Sequence, residues 1–230
     1  MKVRRVKLSM LKRRDWFMLV IGVLITLVCF ETINLIHRAQ VPLKPESSTI
    51  TIPWLPSSVK RWQGPIDSMS KKYNVDPNLI AIIMVLESGG YSKANSGEAQ
   101  GLMQITPLTA KDIASKYIKQ PVKTYNIWNT NTNIEFGTAY LALLRKEFGN
   151  VDQGPSWDST VELVAAGYNG GPGAANRLEE GKGLTDTQTV IYSRDAFNMW
   201  RERHSSDSPT YDRWLERGGS TLIDLAKSDK

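Results

Sequence analysis

The sequence predicts a mainly α-helical domain preceded by one transmembrane helix. Three observations carry that prediction. A basic tail runs straight into a long apolar stretch. A second run, Leu79 to Leu86, is apolar on every face, as a buried helix is. Asp76-Pro77, Thr106-Pro107 and the Gly-Gly-Pro at 170–172 then punctuate the chain with helix stops and starts.

Within residues 1–15, Lys2, Arg4, Arg5, Lys7, Lys12, Arg13 and Arg14 face only Asp15, a surplus of +6 that equals the net charge of all 230 residues. The remaining 22 basic and 22 acidic side chains cancel, so no basic stripe is left for a nucleic-acid partner. From Trp16 to Phe30 the one polar residue is Thr26, and apolar character continues through Ile33, Leu35 and Ile36. As a helix, residues 16–36 would measure about 31 Å, the thickness of a hydrocarbon core. No small-x-small cleavage site follows the run, and Val28 is not the small residue that lipoprotein processing at Cys29 requires. The span therefore reads as a retained anchor in the lipid bilayer. Its basic flank places residues 1–15 in the cytoplasm and all that follows Ile36 on the outer, periplasmic side of the cytoplasmic (inner) membrane. One cysteine leaves the outer domain without a disulfide.

Residues 37–63 carry Pro42, Pro45, Pro53 and Pro56 and no helical period, so they read as a linker able to reach roughly 90 Å. Trp54 and Trp62 are the residues in it suited to packing on a domain. The domain itself is expected over 64–203, followed by a polar tail at 204–230 with a short helix around Tyr211, Trp214 and Leu215.

Inside the domain, Pro65 to Tyr73 has Ile66, Met69 and Tyr73 on one face of a helix. Asp76 then caps a helix opened by Pro77 and stopped by Ser88-Gly89-Gly90. Glu87 ends its apolar run. Helical steps back from it reach Met84, Ile83 and Ile80, which aligns a carboxylate with apolar side chains at the negative end of a helix dipole. Desolvation and dipole both favour the protonated form, the state a general acid needs. A glutamate at a helix end commonly just reaches solvent, so Glu87 alone does not decide the matter. A polar loop runs from Gly89 to Gly101, and Thr106 to Tyr117 forms the next helix. Asn131 or Asn133 is expected to cap a long helix through Phe148, closed by Gly149, with Asn133 structural. Ser159 to Asn169 is a further helix, and a last core helix with Tyr192, Phe197 and Trp200 ends near Arg203.

Three motifs stand in order: Glu87-Ser88-Gly89, Gly101-Leu102-Met103-Gln104 and Ala166-Gly167-Tyr168-Asn169-Gly170-Gly171-Pro172-Gly173. Together they resemble the lytic transglycosylases of the SLT type, lysozyme-like enzymes that cut bacterial cell-wall glycan and share a fold with goose-type lysozymes. The resemblance covers about residues 64–203. It implies a lysozyme-like fold, peptidoglycan glycan strands as partner, and cleavage of the MurNAc-GlcNAc β-1,4 bond with formation of a 1,6-anhydromuramic end. It makes Glu87 the catalytic acid and then base, and Ser96, Met103, Gln104, Tyr168 and Asn169 substrate-binding residues, with Met103 packing on a sugar face. Asp186 is a further substrate contact on the same grounds. The chain departs from the pattern at Glu98, where a small residue is commoner, and at Gly167 and Gly170, where alanines are usual.

His37, His204 and Cys29 provide no zinc or iron site and no Ser-His-Asp relay, so no metal and no cofactor are expected. Carboxyl chemistry is what remains. The alternatives are a hydrolytic muramidase or chitinase on the same fold, with Glu98 as second carboxylate, and a non-catalytic wall-binding tether.

Overall fold

The computed structural model describes residues 45–119, 125–148 and 160–229. Its helices, in chain order, are α1 (Ser57–Lys60), α2 (Gln63–Tyr73), α3 (Pro77–Ser88), α4 (Pro107–Ile113), α5 (Thr130–Phe148), α6 (Val161–Gly170), α7 (Pro172–Glu179), α8 (Thr187–Arg201), α9 (Pro209–Trp214) and α10 (Ser220–Ser228). A π-helical turn, Ala114–Ile118, continues α4, and another, Leu215–Gly219, joins α9 to α10. Among the described residues there is no strand, only isolated bridges that pair Gln100 with Asn95 and with Ile105. The anchor expected at Trp16–Ile36, its basic tail, Cys29 and Gly149 lie outside the described residues. Among those described, no helix is long and apolar enough to cross a membrane.

The core forms around α3 because that helix has no polar face to show water. Every residue from Pro77 to Val85 is buried, and α1, α2 and α8 pack around it. Its start is fixed as the sequence implies, with Asp76 accepting from the Asn78 amide at 2.9 Å. Its end turns at Gly89 in the left-handed conformation, φ 59°. Gly90 follows, where a Cβ would lie 2.3 Å from the Ser58 carbonyl oxygen, so only glycine lets the two backbones approach. Helices α6, α7 and α8 pack together, and α6 also meets α5.

Two segments depart from the sequence reading. Residues 45–63, read as linker, lie on the domain: Ile52, Leu55 and Val59 are buried. The Glu46 amide donates to Asp76 Oδ2 and the Thr51 amide to Asn78 Oδ1, at 2.9 and 2.8 Å. The indole N–H groups of Trp54 and Trp62 donate to the carbonyls of Glu202 and Gly90, as packing tryptophans should. The tail likewise folds back. Helices α9 and α10 bury Trp214, Ile223 and Ala226, and Tyr211 stacks between Trp54 and Trp214. These are contacts between residues some 150 positions apart, for which a local pattern carries no signal.

Candidate active site

Glu87 sits on the last turn of α3 and opens into a cleft of about 430 Å³. Ser96, Glu98, Gln104, Thr106, Thr109, Tyr140, Tyr168, Asn169, Gln188 and Tyr192 line the same cleft. Loop, turn and four helices thus converge on one carboxyl. Beyond Asn169 and Gln188 a second hollow of about 420 Å³ continues toward Arg177 and Asp186.

The Tyr192 hydroxyl donates to Glu87 Oε1 at 2.6 Å. Burial pushes the Glu87 carboxyl up from the ordinary 4.5 to about 7, while the hydrogen bond from Tyr192 pulls the other way. Glu87 can therefore hold a proton near neutrality and still be a stable carboxylate once it has given it up. Glu98 stands exposed at the cleft rim, on the turn made by Asn95, Ser96 and Gly97. Burial also drives the Tyr168 and Tyr192 hydroxyls well above their usual range, so both remain neutral donors.

The other side chains are held by identifiable bonds. Asn133, buried in the first turn of α5, accepts from the Met103 amide at 2.7 Å and donates to the carbonyls of Gln100 and Ile127, both at 2.8 Å. Gly101, φ 78°, passes so close that a Cβ would lie 2.5 Å from the Asn133 amide nitrogen. Gln104 Nε2 donates to Ala94 and Gly101 carbonyls at 3.0 and 2.9 Å, which leaves the amide oxygen for the cleft. The Tyr168 hydroxyl donates to the Met103 carbonyl at 2.7 Å, and its ring lies 5.3 Å from that of Tyr140. Asn169 Oδ1 lies 3.0 Å from the Thr189 hydroxyl.

The structure brings Glu87, Ser96, Gln104, Tyr168 and Asn169 to one cleft and places Met103 elsewhere. Met103 is fully buried. Its side chain fills the space left by Gly137, where a Cβ would meet Met103 Cβ at 2.6 Å, so it supports the turn from beneath and offers no face to a sugar. Asp186 caps α8, accepting from the Thr189 amide at 2.7 Å, and borders the second hollow. Asn133 is not a cap: Asn129 Oδ1 takes the Thr132 amide at that helix start. The residue missed by sequence reasoning is Tyr192. Its signal was available in the spacing of Thr189, Tyr192, Ala196 and Trp200 along one buried face of α8, where a tyrosine hydroxyl has to find a partner. Among the described residues, no group of three or more His, Cys, Asp or Glu side chains comes together.

An all-helical, lysozyme-like domain with one sheltered acid in an open polar cleft is the class these features define. The model of the transglycosylase SLT domain matches residues 64–191, more than half of the chain, and the chain belongs to that family. It is similar to the membrane-bound lytic murein transglycosylase C of Actinobacillus pleuropneumoniae serotype 5b, 38% identical over 117 residues, covering 49% of this chain and 31% of that protein. The protein of the same name from Salmonella arizonae is 33% identical over 167 residues, covering 69% of this chain and 46% of the relative. The chain thus spans less than half the length of these relatives. Among solved structures, the lytic transglycosylase Slt of Pseudomonas aeruginosa aligns with a TM-score of 0.49 at 23% identity, over 64% of this chain and 25% of that one.

Proposed function

We propose that this chain is a lytic transglycosylase that cuts the MurNAc-GlcNAc β-1,4 bond of peptidoglycan and leaves a 1,6-anhydromuramic end. The observation that carries the reading is Glu87, a carboxyl raised to about 7 inside a cleft whose other lining carboxylate, Glu98, is exposed. Glu87 donates its proton to the glycosidic oxygen as the C1–O bond breaks. The 6-hydroxyl of the same muramic sugar then closes on C1, and its proton passes to the Glu87 carboxylate, which restores the acid. Tyr192 holds Oε1 through both steps. Ser96, Gln104, Tyr168 and Asn169 position the sugars, and the ring closure requires only that water be kept out. The relatives' names, lytic murein transglycosylase, support the same chemistry.

The relatives are also named membrane-bound, which supports membrane association; attachment by this chain's own apolar segment at Trp16–Ile36, with the cleft on the periplasmic side of the inner membrane, is proposed from the sequence alone.

The test is the mass of muropeptides released from purified sacculi. Products lighter by one water than reducing-end muropeptides are expected. Mainly reducing ends, abolished by Glu98→Gln, would make the chain a muramidase. No release at all, with wall binding retained, would make it a tether.

A further inference from the structure

The family model matches residues 64–191, and the chain on either side of that segment meets at the C-terminal end of α3. Asp229 is the meeting point. Its Oδ2 accepts from the Ser92 amide at 3.0 Å and the Ser92 hydroxyl at 2.5 Å. Arg61 Nη2 lies 3.4 Å from the same oxygen, and Lys93 Nζ 3.4 Å from Oδ1. The Asp229 carbonyl accepts from Arg61 Nη1 at 2.5 Å. Arg61 and Trp62 also donate to the Gly90 carbonyl at 3.0 and 3.1 Å, and Ser58 Oγ to that of Gly89 at 2.7 Å. From α10, Ile223 and Leu222 close on Gly89: a Cβ there would lie 3.1 Å from Ile223 Cδ1 and 3.2 Å from Leu222 Cβ. Gly89 is two residues beyond Glu87. The backbone that leaves Glu87 is therefore held from both flanks through Lys93, and it continues into the turn that carries Ser96 and Glu98 to the cleft. Ala94, the next residue, accepts from Gln104 Nε2 and from the Gly101 amide.

We propose that Asp229 is a positioning residue for Glu87: by tying Arg61 to Ser92 and Lys93 it locks the loop after α3 and so fixes the depth of the Glu87 carboxyl and the cleft wall bearing Ser96. This rests on Glu87 being the acid. Without the Asp229 carboxylate, the Ser92 amide and the Arg61 guanidinium lose a buried acceptor, and the loop loosens toward water. Tyr192 and Tyr168 face Glu87 from α8 and α6, and Glu98 stands at the rim; none of them is changed by a substitution at 229. The Asp229→Asn variant removes the same charge as Asp229→Ala, so a shift in the pH profile seen with Ala and not with Asn reports geometry and not the loss of a charge beside Arg61 and Lys93.

The experiment compares full-length wild type with Asp229→Ala, Asp229→Asn, Ser92→Ala, Glu87→Gln and a control, Lys227→Ala, which removes an exposed pair with Asp224. Asp229→Ala should lower kcat by about tenfold to a hundredfold, since small misplacements of a reacting group cost that much, with a smaller rise in KM as the wall bearing Ser96 loosens. The alkaline limb should fall to lower pH as water reaches Glu87. Asp229→Asn, which keeps an acceptor for Ser92, should recover most of the rate, and Lys227→Ala all of it. Should Asp229→Ala not fold, Ser92→Ala, which deletes one hydroxyl, must show the same shift in smaller measure. Loss of rate that only tracks the folded fraction by circular dichroism, with an unmoved pH profile, overturns the proposal. An inactive Glu87→Gln beside a fully active Asp229→Ala overturns it while leaving the acid in place; an active Glu87→Gln removes the acid itself.

Discussion

Glu87 owes its chemistry to standing where an apolar helix ends and a cleft begins. Held near 7 instead of 4.5, its carboxyl makes the native state bind a proton that the unfolded chain has already released. The contribution of Glu87 to native stability is therefore fully present below about pH 4.5 and is lost as pH rises through about 7. Glu87→Gln keeps the volume and the acceptor for Tyr192 but not the titration. It should abolish wall-clearing activity by orders of magnitude and, above pH 7, raise stability by about 1–2 kcal/mol after allowance for partial solvent access. Thermal melts at pH 8 and pH 4 check this, because the gain must vanish at pH 4. Tyr192→Phe acts in the opposite sense. It deletes a bond that favours the carboxylate, so the alkaline limb of kcat/KM should move up by roughly one pH unit while activity falls. A limb that stays put or moves down would show that Tyr192 does not hold the acid. At this scale the sequence was legible where causes were local. Glu87 follows from its own helix, whereas the burial of Met103 depends on Gly137 across the core, and the partner of Tyr192 lies 105 residues away.

The elements show the same division. Asp76-Pro77 and Thr106-Pro107 start α3 and α4 as read, because a cap is a contact within one turn. The turn at 101–105 is different: it is tied by Asn133, two of whose three bonds cross from α5 to Gln100 and Met103, some thirty residues earlier, while the third holds the nearby Ile127 carbonyl. The side chain is buried and each partner is a backbone group. Asn133→Ala should cost about 2–4 kcal/mol by leaving an amide and two carbonyls unpaired. Gly101→Ala should be comparably harmful, since it demands both a left-handed alanine and space already filled by that amide. Urea midpoints measure both. If either variant melts like wild type, Asn133 does not organise the turn. If both unfold early yet retain full activity where folded, the turn does not position Gln104 and Tyr168.

At the scale of the whole chain, the boundaries were the least legible part, because composition describes a segment's solubility and not its partners. Residues 45–63 and 204–229 are polar enough to read as linker and tail, yet Trp54 reaches Glu202 and Asp229 reaches Arg61. Residues 45–63 are thus part of the folded domain and not of a linker. The charge asymmetry bears on what precedes them. Seven basic residues precede Trp16 and none lies between it and Ile36, so the proposed anchor would insert with its N-terminus inside. Leu225, exposed on α10, offers a reporter on the far side. With Cys29 replaced by Ser, Leu225→Cys should react with a membrane-impermeant maleimide in intact spheroplasts, and Lys2→Cys only after lysis. Carbonate washing should leave the chain in the membrane fraction. Labelling of position 2 in intact cells, or release of the domain into the soluble fraction, would break the anchor reading but not that of the cleft, whose described lining begins at Leu86. The reach of the enzyme would then be set by diffusion and not by a tether, and the two cases separate on sacculi: an anchored enzyme in vesicles should clear glycan far more slowly than residues 45–230 alone.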